Sequence, residues 1–262
     1  MRQPIKRLFM WKRLKKKCLT KLVSWHIISE PKWKKLDKSK FSSYLYDNHP
    51  DRQWYIDYLL TSGFNKIGEV GAGAMWEIRE LKKLGKLSSL HYTVIDIARE
   101  FMAEGEKLFP EVAFHVDDIQ KTVKLPAATF DITYCRSVLE HQSYYQKPLE
   151  ELHRLTADQA IINLFRWSLN GDRIERDKYW SNSYDVHKLL KYAKNLFADL
   201  DYFLVYRQDG GVPNLYEDEK IRRTGDHLVI VGYKEKRPRV SPYDILDRLK
   251  IRHLREPFGA VQ

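Results

Sequence analysis

Lys66-Ile-Gly-Glu-Val-Gly-Ala-Gly-Ala-Met75 decides how the rest of the chain is read. Lys66 to Gly71 reads as a strand and Ala72-Gly73-Ala74 as a tight turn. Met75 to Leu84 follows as a helix closed by Gly85. Working outward, His91 to Asp96 reads as a second strand and Ala98 to about Leu108 as a helix. Further strands are Val112 to Val116, ending at Asp117-Asp118, then Phe130 to Cys135 and Gln159 to Phe165. Strands separated by helices of this length predict an α/β chain with a doubly wound, mostly parallel sheet.

Ligands of such sheets lie beyond the carboxyl ends of the strands, so strand-end residues carry the information. Here these are Glu69 to Gly73, Asp96, Asp117-Asp118 and Arg136. Gly71 and Gly73 allow backbone to approach a ligand at the start of the following helix. Asp96, at the end of the next strand, offers a carboxylate for ribose hydroxyls. Each feature also has a plainer reading: glycines serve packing, and strand-end acids cap helices, Asp117 being the better candidate for a cap.

The motifs in order are Gly68-Glu-Val-Gly-Ala-Gly73, Val94-Ile-Asp96, Val116-Asp-Asp-Ile119 and Phe130-Asp-Ile-Thr-Tyr-Cys-Arg-Ser-Val-Leu-Glu-His141. Together they resemble the motifs of class I S-adenosylmethionine-dependent methyltransferases, and Val138-Leu-Glu-His141 is similar to the group acting on small molecules, lipids and glycans. The resemblance is clear over about Tyr58 to Trp167. It extends to Lys234 through a helix at Asp185–Leu196 and strands at Tyr202–Arg207 and His227–Tyr233. It implies a seven-stranded sheet with an antiparallel edge and S-adenosylmethionine as cofactor. It further implies that Glu69 orients the methionine ammonium, that Gly71, Ala72 and Gly73 form the turn under the cofactor, and that Asp96 binds the ribose. Ile97 would lie against the adenine, Asp118 would meet its amino group with Ile119 beside it, and Arg136 would line the methionine end. The sequence departs from the family at Met75, where a third glycine is common.

Methyl transfer from a sulfonium is an in-line displacement, so holding the acceptor in place supplies much of the catalysis. A hydroxyl acceptor must also lose its proton, which suits a histidine. His141 is the first candidate, with pocket-shaping as its plainer role. His187, Tyr179 and Tyr184 belong to the segment expected to cover the acceptor, and Tyr44, Tyr46 and His49 are placed to close the pocket from the N-terminal side. No His/Cys/Asp cluster has metal-ligand spacing, so no metal is expected. Cys135-Arg-Ser-Val138 stands where amino-methylating enzymes of DNA and glutamine carry Asn/Asp-Pro-Pro-Tyr/Phe, which favours an oxygen acceptor.

The net charge of +11 over 262 residues is local. Residues 1–40 hold 14 Lys and Arg against Glu30 and Asp37, and the rest of the chain is nearly neutral. Within this basic extension Leu8, Trp11, Leu14, Cys18, Leu22 and Trp25 share one helical face. Contact of residues 5–25 with a membrane surface is one reading, docking on the protein's own core a second, and a nucleic-acid arm a third. No apolar run reaches the ~20 residues needed to span a bilayer, and two cysteines build no disulfide framework, so a cytoplasmic protein, peripheral at the inner face of a membrane, is expected.

Residues 41–240 form the expected catalytic domain and 241–262 a helical tail in which Ile245, Leu246, Leu249 and Ile251 suggest docking. The expected acceptor is a small molecule, glycan or lipid-linked precursor. The alternatives are an RNA methyltransferase and, less favoured, a nicotinamide-dependent reductase on a similar sheet. Against the latter, Trp76 stands where its third glycine would be, and the Tyr184-x-x-x-Lys188 spacing arises readily by chance among 16 tyrosines. Oligomeric state is not encoded in any pattern found.

Overall fold

The computed structural model describes residues 49–175, 181–206, 226–235 and 240–258. The expected basic extension, 1–40, lies outside them, as do Tyr44, Tyr46 and Tyr179. Helix α1 (Pro50–Ser62) opens with proline at its first position, where the missing N–H costs nothing, and ends on Gly63 in the left-handed region. The glycine-turn strand is β1 (Lys66–Val70), followed by α2 (Trp76–Lys83), β2 (His91–Asp96), α3 (Arg99–Leu108) and β3 (Ala113–Val116). Next come β4 (Phe130–Arg136), a 3-10 turn at Leu139–His141, α4 (Gln146–Leu155) and β5 (Thr156–Leu164).

A small sheet of β6 (Trp167–Ser168), β7 (Arg173–Glu175) and β8 (Ser181–Asp185) precedes α5 (Val186–Leu196). The chain closes with β9 (Asp199–Val205), β10 (His227–Tyr233), α6 (Pro242–Arg248) and β11 (His253–Arg255).

The main sheet has eight strands in the order β11-β9-β10-β5-β4-β1-β2-β3. β3, β2, β1, β4 and β5 run parallel, while β10 is antiparallel to both its neighbours and β11 to β9. This is the expected doubly wound, mostly parallel sheet with an antiparallel edge, with one strand more than the expected seven. The extra strand is β11. The tail carries only a short helix, α6, because Leu249 and Lys250 leave the helix and the chain then pairs with β9.

Alternating side chains of one strand feed two opposite cores, since successive Cβ atoms point to opposite faces. Val229, Val231 and Tyr233 of β10 pack with α1, α2 and α3 through Trp54, Tyr58, Ile78 and Phe101. Leu228 and Ile230 of the same strand pack with Leu149, Leu152, Leu189 and Leu190 of α4 and α5. A sheet covered on both faces leaves a ligand only its edges. The crossovers reverse between β1 and β4, and in sheets of this kind the ligand crevice lies there, beyond the strand ends.

Candidate active site

The crevice is built first by backbone. Gly71 adopts φ 75°, and a Cβ there would lie 2.2 Å from Cγ2 of Val138 on the loop after β4. Its N–H donates to the Ile95 carbonyl at 2.9 Å, tying the turn to β2. Gly73, at φ 51°, faces open space, with nothing within 4 Å of where its Cβ would stand. Met75 occupies the position of the missing third glycine and itself takes φ 59°, in the left-handed region. Its side chain is buried against Gly105 of α3, where any larger residue would collide with it. The turn geometry is thus kept without the glycine, at a backbone cost of order 1 kcal/mol that the packing of the methionine offsets.

Asp96 ends β2, and its Oδ1 accepts from the Ala98 N–H at 2.8 Å. Burial pushes its pKa up, against the opposing pull of the Ala98, Gly73 and Ile97 backbone amides. Asp117 holds its loop, accepting from the amides of Asp118 and Lys124 at 2.9 Å each. Asp118 is buried beside Ile119 and accepts from the Gln120 N–H at 3.1 Å. No helix follows Asp117, so it caps none; both acids hold the loop through backbone amides, and Asp118 is the buried one. Gln120 then donates to Gln142 at 3.0 Å, joining the loops after β3 and β4.

Glu69 is buried with its Oε2 accepting from the Tyr92 hydroxyl at 2.8 Å. The Glu77 carboxyl hydrogen-bonds to it, and burial together with that neighbour holds Glu69 well above the usual carboxylate range. Arg52, from the first turn of α1, donates to both Glu77 oxygens at 3.2 Å and lies over the Trp76 ring. Two buried acids thus face one arginine, a set short of positive charge.

Arg136, at the end of β4, is committed to Asp51: Nε donates to Oδ2 at 2.8 Å. Asn163 Nδ2, from β5, reaches the same oxygen at 2.6 Å. His49 Nδ1 contacts Asp51 Oδ1, and His227 Nδ1 lies 3.2 Å from Oδ2. These charges and hydrogen bonds hold the Asp51 carboxyl well below the usual range despite its burial. His141 stands on the turn after β4 with its ring beside Phe165, centroids 5.9 Å apart. His187 opens α5 with its ring near Phe258.

Sequence reading missed Arg52, Glu77, Tyr92, Asp51, Asn163 and His227. Two of them left a signal: Glu77 sits one turn before Leu81 on the buried stripe of α2, and Asn163 interrupts an apolar strand near its carboxyl end. Asp51 and His227 are 176 positions apart, and nothing local joins them.

Residues 68–163 match the methyltransferase domain family. Among solved structures, a chain from the complex between the Haloferax volcanii Trm112 methyltransferase activator and a methyltransferase aligns at 13% identity. It covers 74% of this chain and 97% of that one, with a TM-score of 0.52. The chain has the methyltransferase fold. The same fold is shared with the Burkholderia thailandensis 1,6-didemethyltoxoflavin-N1-methyltransferase, solved with its namesake ligand and S-adenosylhomocysteine. That match has 16% identity, covers 76% of this chain and 85% of that one, and has a TM-score of 0.51. It is shared again with Haemonchus contortus phosphoethanolamine N-methyltransferase 2, solved with phosphomonomethylethanolamine and S-adenosylhomocysteine. Here identity is 11%, coverage 75% of this chain and 56% of that one, and TM-score 0.53. No curated protein sequence matches the chain significantly.

In this methyltransferase fold the glycine turn, Asp96 and Asp118 lie on the β1-β2-β3 side of the crevice, and Asp51, Arg136, Asn163 and His227 on the β4-β5-β10 side. Tyr184, the tyrosine of the reductase spacing, has its hydroxyl engaged elsewhere. The Tyr184 hydroxyl is buried and donates to the backbone carbonyls of Leu139 and Gln142, and burial pushes its pKa up, away from that of an acid-base tyrosine. Among the described residues no helix is long and apolar enough to cross a membrane.

Proposed function

We propose that this chain transfers a methyl group from S-adenosylmethionine to an oxygen of a small molecule, glycan or lipid-linked precursor. The observation that carries the cofactor is the open, left-handed turn at Gly73 facing the Asp96 carboxylate. That combination accepts a bulky ligand against backbone and hydrogen-bonds its hydroxyls. Gly71, Ala72 and Gly73 would cradle the cofactor, Asp96 would take the ribose, and Ile97, Asp118 and Ile119 would enclose the adenine. Glu69 and Glu77 supply the negative environment that a methionine ammonium needs, and Arg136 shapes the same crevice through Asp51. The cofactor brings an electrophilic methyl group, so the protein's task is to position the acceptor and receive its proton. His141, on the turn after β4, is one histidine proposed for that proton.

Calorimetric titration with S-adenosylhomocysteine, run beside NADH on the same sample, tests this reading. Micromolar binding of the first and none of the second is expected. NADH binding, or binding of neither, would overturn it. The oxygen acceptor is tested by release of S-adenosylhomocysteine with hydroxylated and amine acceptors in parallel.

A further inference from the structure

The cluster around Asp51 has more organisation than a structural staple requires. His49 and His227 stack with centroids 3.6 Å apart and planes within 9° of parallel, and both turn Nδ1 toward the one carboxylate. These three side chains place potential ligand atoms within 4.8 Å of one another, which invites a metal ion. The ring geometry refuses one. An ion shared by two parallel imidazoles would stand off each plane by about half their 3.6 Å separation, nearly the whole of a ~2.0–2.1 Å metal–nitrogen bond, whereas the lone pair lies in the plane. Arg136 also holds its positive charge 2.8 Å from Asp51 Oδ2.

What the geometry does fit is a proton. His227 Nδ1 lies 3.2 Å from Asp51 Oδ2 and 3.4 Å from Arg136 Nη2. The shorter contact to the carboxylate favours this nitrogen as donor, and Nη2 has Asp51 Oδ1 at 3.4 Å to donate to instead. The neutral ring then presents Nε2 as a bare acceptor, and Nε2 of His227 makes no hydrogen bond among the described residues. His227 opens β10, which runs antiparallel to β5, so it stands at the edge of the sheet where β4 and β5 end with Arg136 and Asn163. The charged and titratable groups facing it are Asp51 from α1, His49 before α1, and Arg136 from β4.

We propose that His227, oriented by Asp51, is the base that takes the acceptor's proton, with Arg136 and Asn163 as positioning residues that lock Asp51. The proposal rests on the methyltransferase reading above. In the step, an acceptor oxygen pair forms the O–CH3 bond, the C–S pair leaves with sulfur, and the O–H proton passes to Nε2 of His227. Asp51 then balances the imidazolium, as the orienting acid of a nucleophile–histidine–carboxylate array does. His141, whose ring packs on Phe165, is left to shape the pocket.

The test is side-chain 15N spectroscopy of the histidine-labelled full chain with S-adenosylhomocysteine, from acid to alkaline pH, with His227→Gln identifying the resonance. A neutral His227 protonated on Nδ1, and a changed tautomer balance in Asp51→Asn, are expected. Protonation on Nε2 in the neutral ring, a charged ring at neutral pH, or resonances moved by added Zn2+ would overturn the assignment. In methyl transfer to a hydroxyl acceptor, His227→Gln should lower the rate at least ~10²-fold with S-adenosylhomocysteine affinity unchanged. A near-normal rate, with the loss appearing in His141→Gln instead, would return the role to His141. Failure of the wild-type chain to bind S-adenosylhomocysteine would overturn the methyltransferase reading itself and would leave the tautomer result standing.

Discussion

Single carboxylates in this molecule are tuned by what surrounds them, and three can be tested one at a time. Asp96→Ala removes an acceptor at the end of β2 and is expected to weaken S-adenosylhomocysteine by ~1–3 kcal/mol in calorimetry; unchanged affinity would remove Asp96 from the site. Glu69 is held above the usual carboxylate range by burial and by Glu77, so it gives up its proton less readily than an ordinary glutamate. A bound ammonium lowers that pKa, so binding should release up to about one proton. Binding enthalpies measured in phosphate and in Tris should differ accordingly, and Glu69→Gln should abolish the difference. Glu140, fully buried with Oε1 on the Phe165 N–H at 2.6 Å, is pushed up to about 7. Its folded pKa is raised, so its stabilising share is complete below the unfolded value near 4.5 and is lost as pH rises through about 7. That share is on the order of 3 kcal/mol. Glu140→Gln keeps the acceptor for Phe165 and should flatten the fall in denaturation midpoint between about pH 5 and 7.

At the scale of elements, α1 links the two halves of the crevice. Its first turn carries adjacent residues of opposite charge, Asp51 toward Arg136 and Arg52 toward Glu77. Removing Arg52 would leave two buried acids with no cation beside them, so Arg52→Ala should cost ~3–5 kcal/mol in urea unfolding. Glu77→Gln in the same background should recover part of the loss. A cost within experimental error would show that the pair contributes nothing net. The glycine turn was legible because strand, turn and helix are contiguous and each has a local period. The first turn of α1 was not, because an Asp-Arg pair after proline looks like any solvated helix start until its partners are known.

The whole molecule depends on a segment whose reading was incomplete. The tail from Val240 was expected to dock as a helix, and Ile245 and Leu246 do bury themselves against α1, with Trp54 Nε1 donating to the Pro242 carbonyl at 3.0 Å. What local pattern did not announce is β11, since a three-residue strand has too few positions to show a period. Truncation before Val240 exposes Ile245's and Leu246's partners and the edge of β9. It is expected to lower stability by several kcal/mol and to promote association through the bared edge, read by thermal unfolding and light scattering. A truncated chain as stable and monodisperse as the parent would contradict the packing described here.

The order of the five parallel strands, the glycine turn and the acids at the ends of β2 and β3 followed from sequence alone. All are set by neighbours within a few residues, where periodicity and turn chemistry act. The sequence also set the asymmetry of charge between the first 40 residues and the remainder. Only the tertiary structure decided that Glu69 shares its burial with Glu77, that Arg136 answers to Asp51, and that His227 stacks on His49. Those pairings join β1 to α2, β4 to α1 and β10 to the residue before α1, and they exist because the fold brings together residues that the chain keeps up to 178 positions apart. Hydrogen bonds and charges act over a few ångströms of space, and the fold alone determines which residues come within that reach.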